Sequence, residues 1–261
     1  FEILKNFRPV SNLTYISKLI EHLVATRFMK YIIDNNLREM FQSSYAKYHS
    51  TETALIKVQN DILESIDSNK CVLLVLLDLS AAFDTIDHKI LLNRLSQHFG
   101  VGGTALKWFT SYVSDRVQSV FIDGVESDPH ELIYGVPKGS VLGPILFTLY
   151  TSPLGALIRD SDISFHLYAD DTQLYFPFSI SESHLAIEKI EHCIEKIRVW
   201  MTDNFLKLNE DKPEVICFGS PNLLAKIKEP LKVKIGSEEI TPAQSVKNIG
   251  AFLDSTLSRA V

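Results

Sequence analysis

Residues 164–176 read Ser164-Phe-His-Leu-Tyr168-Ala-Asp-Asp171-Thr-Gln-Leu-Tyr-Phe176, two β-rich runs (164–169 and 172–176) joined through adjacent aspartates. Aromatic and β-branched residues on both sides of a short polar turn predict a hairpin. Two like charges at a turn between apolar strands repel each other in a partly dry site. An isolated Asp-Asp turn is ordinarily just solvated, since aspartate is a good turn former. A second stretch changes that balance. Cys71-Val-Leu-Leu-Val-Leu-Leu77 is a continuous apolar run, too short for a typical helix, and it ends on Asp78. It reads as a strand buried on both faces, and an acid at the end of such a strand needs a partner or a metal.

If the end of that strand lies beside the hairpin turn, three carboxylates gather. Such a set binds hard divalent cations through oxygen, Mg2+ above all. Two such ions can activate an attacking oxygen, neutralise phosphates and steady the leaving group of an in-line displacement. Spacing alone leaves the convergence open.

Working outward, apolar residues recur at helical spacing from Ile16 through Leu19, Ile20, Leu23, Val24 and Phe28 to Ile32, and residues 53–66 read as a second helix. Asp87 is placed to cap a helix through Ile90, Leu91, Leu95 and Phe99, and another follows over about 104–113. Residues 118–123 and 131–134 look like paired strands around a polar turn, and 141–157 reads as mostly helical. A long amphipathic helix carries Leu185, Ile187, Ile190, Ile194, Ile197 and Met201. Short strands at 215–218 and 231–235 end the readable pattern. Helices mixed with antiparallel strands predict an α+β fold, a sheet packed on helices.

The 261 residues, 46% hydrophobic and 22% charged, are enough for one large domain or two closely packed lobes. The run 72–77 is too short to cross a membrane, and 141–158 is interrupted by Pro144 and Pro153. The N-terminal residues lack the basic and apolar regions of a secretory signal. Cys71, Cys193 and Cys217 show neither metal spacing nor a disulfide framework, which fits a reducing compartment, and Asn12-Leu-Thr14 is a chance glycosylation match. The formal net charge of -6 runs against a phosphate-binding surface, although a cluster of catalytic acids contributes to it. Gly100-Val-Gly102-Gly-Thr-Ala105 loosely fits a dinucleotide fingerprint but follows a helix rather than a strand, so it reads as a helix break. His88, His98 and His130 lack ligand spacing and read as surface or packing residues.

Several motifs occur in one order. Asp78-Leu-Ser-Ala-Ala-Phe83-Asp84, Gly135-Val-Pro-Lys-Gly-Ser-Val-Leu-Gly-Pro144 and Tyr168-Ala-Asp-Asp171 resemble the palm motifs of reverse transcriptases. Asn204-Phe-Leu-Lys-Leu-Asn209 with Lys212 resembles the next palm motif, and Val246-Lys-Asn-Ile-Gly-Ala-Phe-Leu-Asp254 the segment leading towards the thumb. Upstream, Phe7-Arg-Pro-Val-Ser-Asn-Leu13 and residues 42–51 resemble fingers motifs. The wording is nearest to retrotransposons without long terminal repeats, particularly the chicken-repeat-like and jockey-like clades.

The resemblance implies a right-hand polymerase: residues 1–70 part of the fingers, 71–261 the palm with interleaved fingers elements, ending before the thumb. It implies RNA-directed DNA synthesis, in which a primer 3′-hydroxyl attacks the α-phosphate of a deoxynucleoside triphosphate. The cofactor would be two Mg2+ ions, with Mn2+ as a substitute, and the partners an RNA template, a DNA primer and deoxynucleoside triphosphates. Asp78, Asp170 and Asp171 match the metal-binding acids. Phe83 resembles the sugar gate whose ring excludes a 2′-hydroxyl, Arg8 the fingers arginine that grips the triphosphate, and Lys212 the lysine near the leaving pyrophosphate. Gly135, Lys138, Gly139 and Ser140 fall in the loop that lies against template and incoming base, where small residues allow close backbone approach. The setting implied is nuclear and cytoplasmic.

Three positions depart from the family wording. Lys138 stands where glutamine is usual, Ala46 where arginine follows the aromatic residue, and Pro213 where threonine is common. Lys47 does not reproduce arginine geometry, and proline removes a backbone donor. These changes imply a diverged or decaying copy and, with the thumb lacking, little or no activity for the fragment as it stands. The alternatives are an inactive remnant that at most binds nucleic acid, and another metal-dependent phosphotransferase or nuclease.

Overall fold

The computed structural model describes residues 10–80, 82–209 and 213–257. Helix α1 (Tyr15–Asp34) and α2 (Thr51–Asp67) precede strands β1 (Cys71–Leu77) and β2 (Leu79–Ser80). Then come α3 (His88–Gln97), α4 (Gly103–Val113) and four short strands, β3 (Arg116–Gln118), β4 (Phe121–Ile122), β5 (Val125–Glu126) and β6 (His130–Leu132). Helices α5 (Leu142–Thr151) and α6 (Pro153–Arg159) lead to the hairpin of β7 (Ser164–Tyr168) and β8 (Asp171–Phe178). The chain continues through α7 (Ser183–Asp203), β9 (Lys207–Leu208), β10 (Glu214–Phe218) and α8 (Pro221–Leu224). It closes with two hairpins, β11 (Val233–Ile235) with β12 (Glu238–Ile240) and β13 (Ser245–Asn248) with β14 (Ala251–Asp254).

The chain forms two compact units, made from the described residues of Phe1–Arg38 with Ala81–Thr151 and of Glu39–Ser80 with Ser152–Val261. The second unit is built on an antiparallel sheet of order β10-β1-β8-β7. Its central strand is buried on both faces, as its unbroken apolar run implies, with residues 71–75 fully inaccessible. Val72 and Leu74 point to one face, where they pack with Val58 and Ile62 of α2, Tyr175, Ile216, Phe218, and Val246 and Leu253 of the last hairpin. Leu73 and Val75 point to the opposite face. Helix α7 packs against β8 and buries Ala186, Ile190, Cys193, Ile194, Ile197 and Met201. Ser50 starts α2 with a reciprocal cap: its Oγ accepts from Thr53 N at 3.3 Å while its own N–H donates to Thr53 Oγ1 at 2.9 Å.

In the first unit α3 packs against α4 and α5, and α1 packs against α5. Asp87 caps α3 by accepting from Ile90 N at 2.8 Å, as the sequence predicts. The buried stripe of α1 differs from the expected one. Glu21, Ala25, Phe28 and Ile32 are inside, while Ile16, Leu19, Ile20 and Leu23 lie exposed.

Three other expectations change. The strand expected over 118–123 is broken into β3 and β4, paired with β6 and β5 respectively. Pro129, with no N–H to donate, lies between β5 and β6 where one continuous ladder would need it. The helix expected over 141–157 is two helices, because Pro153 starts a new one. The strand at 231–235 begins at Val233 and belongs to a hairpin.

Candidate active site

The site is assembled at the ends of β1, β7 and β8. Register sets Leu77 opposite Thr172, so Asp78 leaves β1 beside the turn of the next hairpin. That hairpin closes with Tyr168 opposite Asp171, leaving Ala169 and Asp170 as a two-residue turn. All three aspartates are half-buried. The Asp171 carboxyl is pushed up to about 6, first by burial and then by the charges of Asp170 and Asp78. That mutual influence marks the convergence that the sequence left open. Asp78 is held by Asn209, which donates its side-chain amide to Asp78 Oδ2 at 3.2 Å and its backbone N–H to Asp78 O at 2.9 Å. The short β2-β9 ladder, Leu79 with Leu208 and Ser80 with Lys207, fixes that approach.

Among the described residues no three acidic, histidine or cysteine side chains converge tightly enough to cage a metal on their own. The donor chemistry still fits Mg2+, which prefers oxygen and takes one or two carboxylates together with waters and substrate phosphates rather than a complete protein cage. A carboxyl whose proton affinity is raised by burial and then by two neighbouring carboxylates is one whose charge a cation would stabilise.

The turn between the acids is itself clamped. Ala169 has a positive φ of 54°, a conformation that glycine adopts freely and alanine does not. Its N–H donates to Gln42 Oε1 at 3.1 Å and Ser44 Oγ at 2.8 Å, and its carbonyl accepts from Gln42 Nε2 at 3.3 Å. The segment carrying these side chains runs beside β7, with Ser43 N bonded to Leu167 O at 3.0 Å and Leu167 N to Phe41 O at 2.8 Å. Tyr45 has its hydroxyl proton affinity raised by burial, then by Asp170 and Tyr168.

The other candidate residues lie in the first unit. The half-buried Phe83 stacks on Phe147 with centroids 5.0 Å apart and planes at 26°. Gly135 has φ +85°, and a Cβ there would sit 2.9 Å from the backbone oxygen of Asp84, so only glycine fits. Its N–H bonds to Ile86 O at 2.8 Å, while Val136 N bonds to Phe83 O at 2.9 Å. Lys138 pairs with Asp84 at 2.5 Å, so its charge is met by a carboxylate from outside the loop. Gly139 is exposed; Ser140 is buried and accepts from Gly143 N at 2.9 Å, as an α5 cap should. Arg8 and Lys212 lie outside the described residues.

Sequence reasoning missed several residues that shape these loops. Glu21, 1% exposed, accepts from Val141 N at 2.7 Å and Leu142 N at 3.1 Å at the start of α5. A lone acid within the apolar periodicity of α1 was the available signal. His88 Nε2 lies 2.7 Å from Gly135 O, a packing role with a definite partner. Gln42 and Ser44 bond to backbone groups 127 and 125 positions away, which no local pattern announces.

A family model described as "Reverse transcriptase (RNA-dependent DNA polymerase)" matches residues 3–251. The chain is 26% identical over 259 residues to a probable RNA-directed DNA polymerase from transposon BS of Drosophila melanogaster, covering 97% of this chain and 28% of that protein. It is 25% identical over 259 residues to the RNA-directed DNA polymerase from mobile element jockey of the same species, covering 97% and 27%. The chain thus spans just over a quarter of the length of these curated relatives. In fold it is similar to apo telomerase from Candida tropicalis, with a TM-score of 0.64 at 10% identity, covering 92% of this chain and 40% of that one. A structure of the same telomerase with a telomeric RNA fragment gives a TM-score of 0.64 at 9% identity, covering 95% and 37%. Among the described residues no helix is long and apolar enough to cross a membrane.

Proposed function

The chain belongs to the reverse transcriptase (RNA-dependent DNA polymerase) family, and we propose that it carries the nucleotidyl-transfer site for copying an RNA template into DNA from a primer. The observation that carries this reading is the meeting of Asp78 with the Asp170-Asp171 turn, read from the β1-β8 register and the raised Asp171 proton affinity.

Asp78 and Asp170 would be the principal Mg2+ ligands, with Asp171 beside them. When bound, the two ions would supply charge neutralisation at the phosphates and activation of the primer hydroxyl. The chain's own residues position and select. Asn209 orients Asp78 through its side-chain and backbone bonds. Phe83, its ring braced by Phe147, presents a wall against a 2′-hydroxyl. Gly135, Lys138 and Gly139 would face template and base, with the buried Ser140 capping the helix that follows them, and Arg8 and Lys212 would serve the triphosphate. Lys138 reads from sequence alone as a break in the site; its pairing with Asp84 supports a compensated loop rather than a decayed one.

The test supplies a primed RNA template, Mg2+, and either deoxynucleotides or ribonucleotides. Extension with deoxynucleotides alone is expected, and Phe83→Ala should admit ribonucleotides at least about tenfold better, a modest loss of discrimination. Cleavage of the nucleic acid without incorporation would replace this reading by a nuclease. Binding of primer-template without extension would leave the inactive-remnant reading.

A further inference from the structure

We propose that Gln42 is a positioning residue for the catalytic acids, acting through Ala169, with Ser44 as its support. This rests on the reading of Asp170 and Asp171 as the acids of the transfer site.

The two-residue turn puts Ala169 immediately before Asp170, and whatever sets its backbone sets the direction of the following carboxylates. A residue with a side chain at φ 54° is held there against its own preference. Gln42 supplies the restraint. One amide group accepts the Ala169 N–H and donates to the Ala169 carbonyl, engaging both polar groups of a single residue. Ser44 fixes the amide's orientation: its N–H and Oγ both donate to Gln42 Oε1, at 3.0 and 2.8 Å, and its Oγ accepts from Ala169 N. With the oxygen taking these donors, the amide nitrogen is directed at the Ala169 carbonyl. Gln42 is 3% exposed and Ser44 3% exposed, so water does not compete freely for these bonds. The bridge between Gln42 and Leu167 ties the clamp to β7, so it moves with the sheet that carries the acids. Glycine at such a turn would need no clamp; alanine does.

The experiment compares wild type, Gln42→Ala, Ala169→Gly and the double variant. It reads single-nucleotide incorporation on a primed RNA template, hydrogen exchange across residues 165–171, and thermal unfolding. Expected for Gln42→Ala is exchange at the turn at least about tenfold faster, with the β1 amides unchanged. Its kcat should fall up to about a hundredfold with the primer-template KM nearly unchanged, as for a small misplacement of reacting groups. Ala169→Gly, which adopts the left-handed backbone unaided, should restore about tenfold of that kcat in the double variant, and general destabilisation would not be rescued this way. If Gln42→Ala does not fold, Gln42→Met keeps the volume without the hydrogen bonds and takes its place. An active wild type whose Gln42 variants keep their kcat overturns the positioning role alone. A folded wild type that does not incorporate nucleotides overturns the proposed function and this role together.

Discussion

His166 lies two residues before the turn that carries the acids, and its ring is 4% exposed. Its Nε2 meets Ser43 Oγ at 2.8 Å, while Nδ1 has no hydrogen-bond partner among the described residues. Burial, then Lys57 and His49, lower its pKa from the ordinary 6.5 to about 4, and Asp61 only partly offsets them. The unfolded chain therefore binds a proton on this ring more readily than the folded one between those values. Stability contributed by His166 is present above pH 6.5 and lost as the pH falls towards 4. At pH 5 the loss should be about 2 kcal/mol relative to pH 7.5. Asp171 works the other way. Its raised proton affinity lets the folded state take up a proton first, so that stability grows as pH falls through about 6. Urea unfolding of wild type and His166→Gln at both pH values separates the two: the wild type should lose about 2 kcal/mol more than the variant on acidification. Equal losses would mean that the ring is not held neutral.

At the scale of elements, legibility followed the length and purity of the signal. Strand β1 and the β7-β8 hairpin were readable because seven consecutive apolar residues and a doubled aspartate leave few alternatives. The final hairpin was not readable as strands. Its four-residue strands bury Val246 and Leu253 but expose Phe252, too short a pattern to stand out from a loop. Helix α1 misled because its apolar residues outnumber the positions its unit covers, and the one acid among them is the inward one. Pro153, which starts α6, and Pro129, which stands between β5 and β6, were visible in the sequence, and each lacks the backbone donor that one continuous element would need. The cap of α2 gives the element-scale prediction. Ser50→Ala removes the acceptor for Thr53 N, so it should cost about 1 kcal/mol of stability by urea unfolding, without changing the slope with denaturant. No change would show that Thr53 alone secures the helix start.

Across the whole molecule, the chain passes between its two units after Arg38, after Ser80 and after Thr151. The carboxylates and their clamp belong to one unit, and Phe83 and the Gly135–Ser140 loop to the other. The candidate acids were legible because they stand at the ends of strong strands. The contacts of Gln42 and Ser44 with Ala169 and of Asn209 with Asp78 were not, although all three residues lie in quoted motifs, because backbone and carboxylate are brought near them only by folding. The charge of -6 that argued against a polynucleotide partner is carried in part by these candidate acids, whose repulsion a bound cation would relieve. The most direct measurement is extension of a primed RNA template with deoxynucleotides and Mg2+, run beside Asp170→Ala with folding verified for both proteins. Extension by the wild type is expected, with a loss of about a hundred- to a thousandfold in the variant, the scale for removal of a principal charge-stabilising group. Equal extension by both proteins would contradict that expectation, because synthesis would then not depend on the carboxylate at the centre of the site.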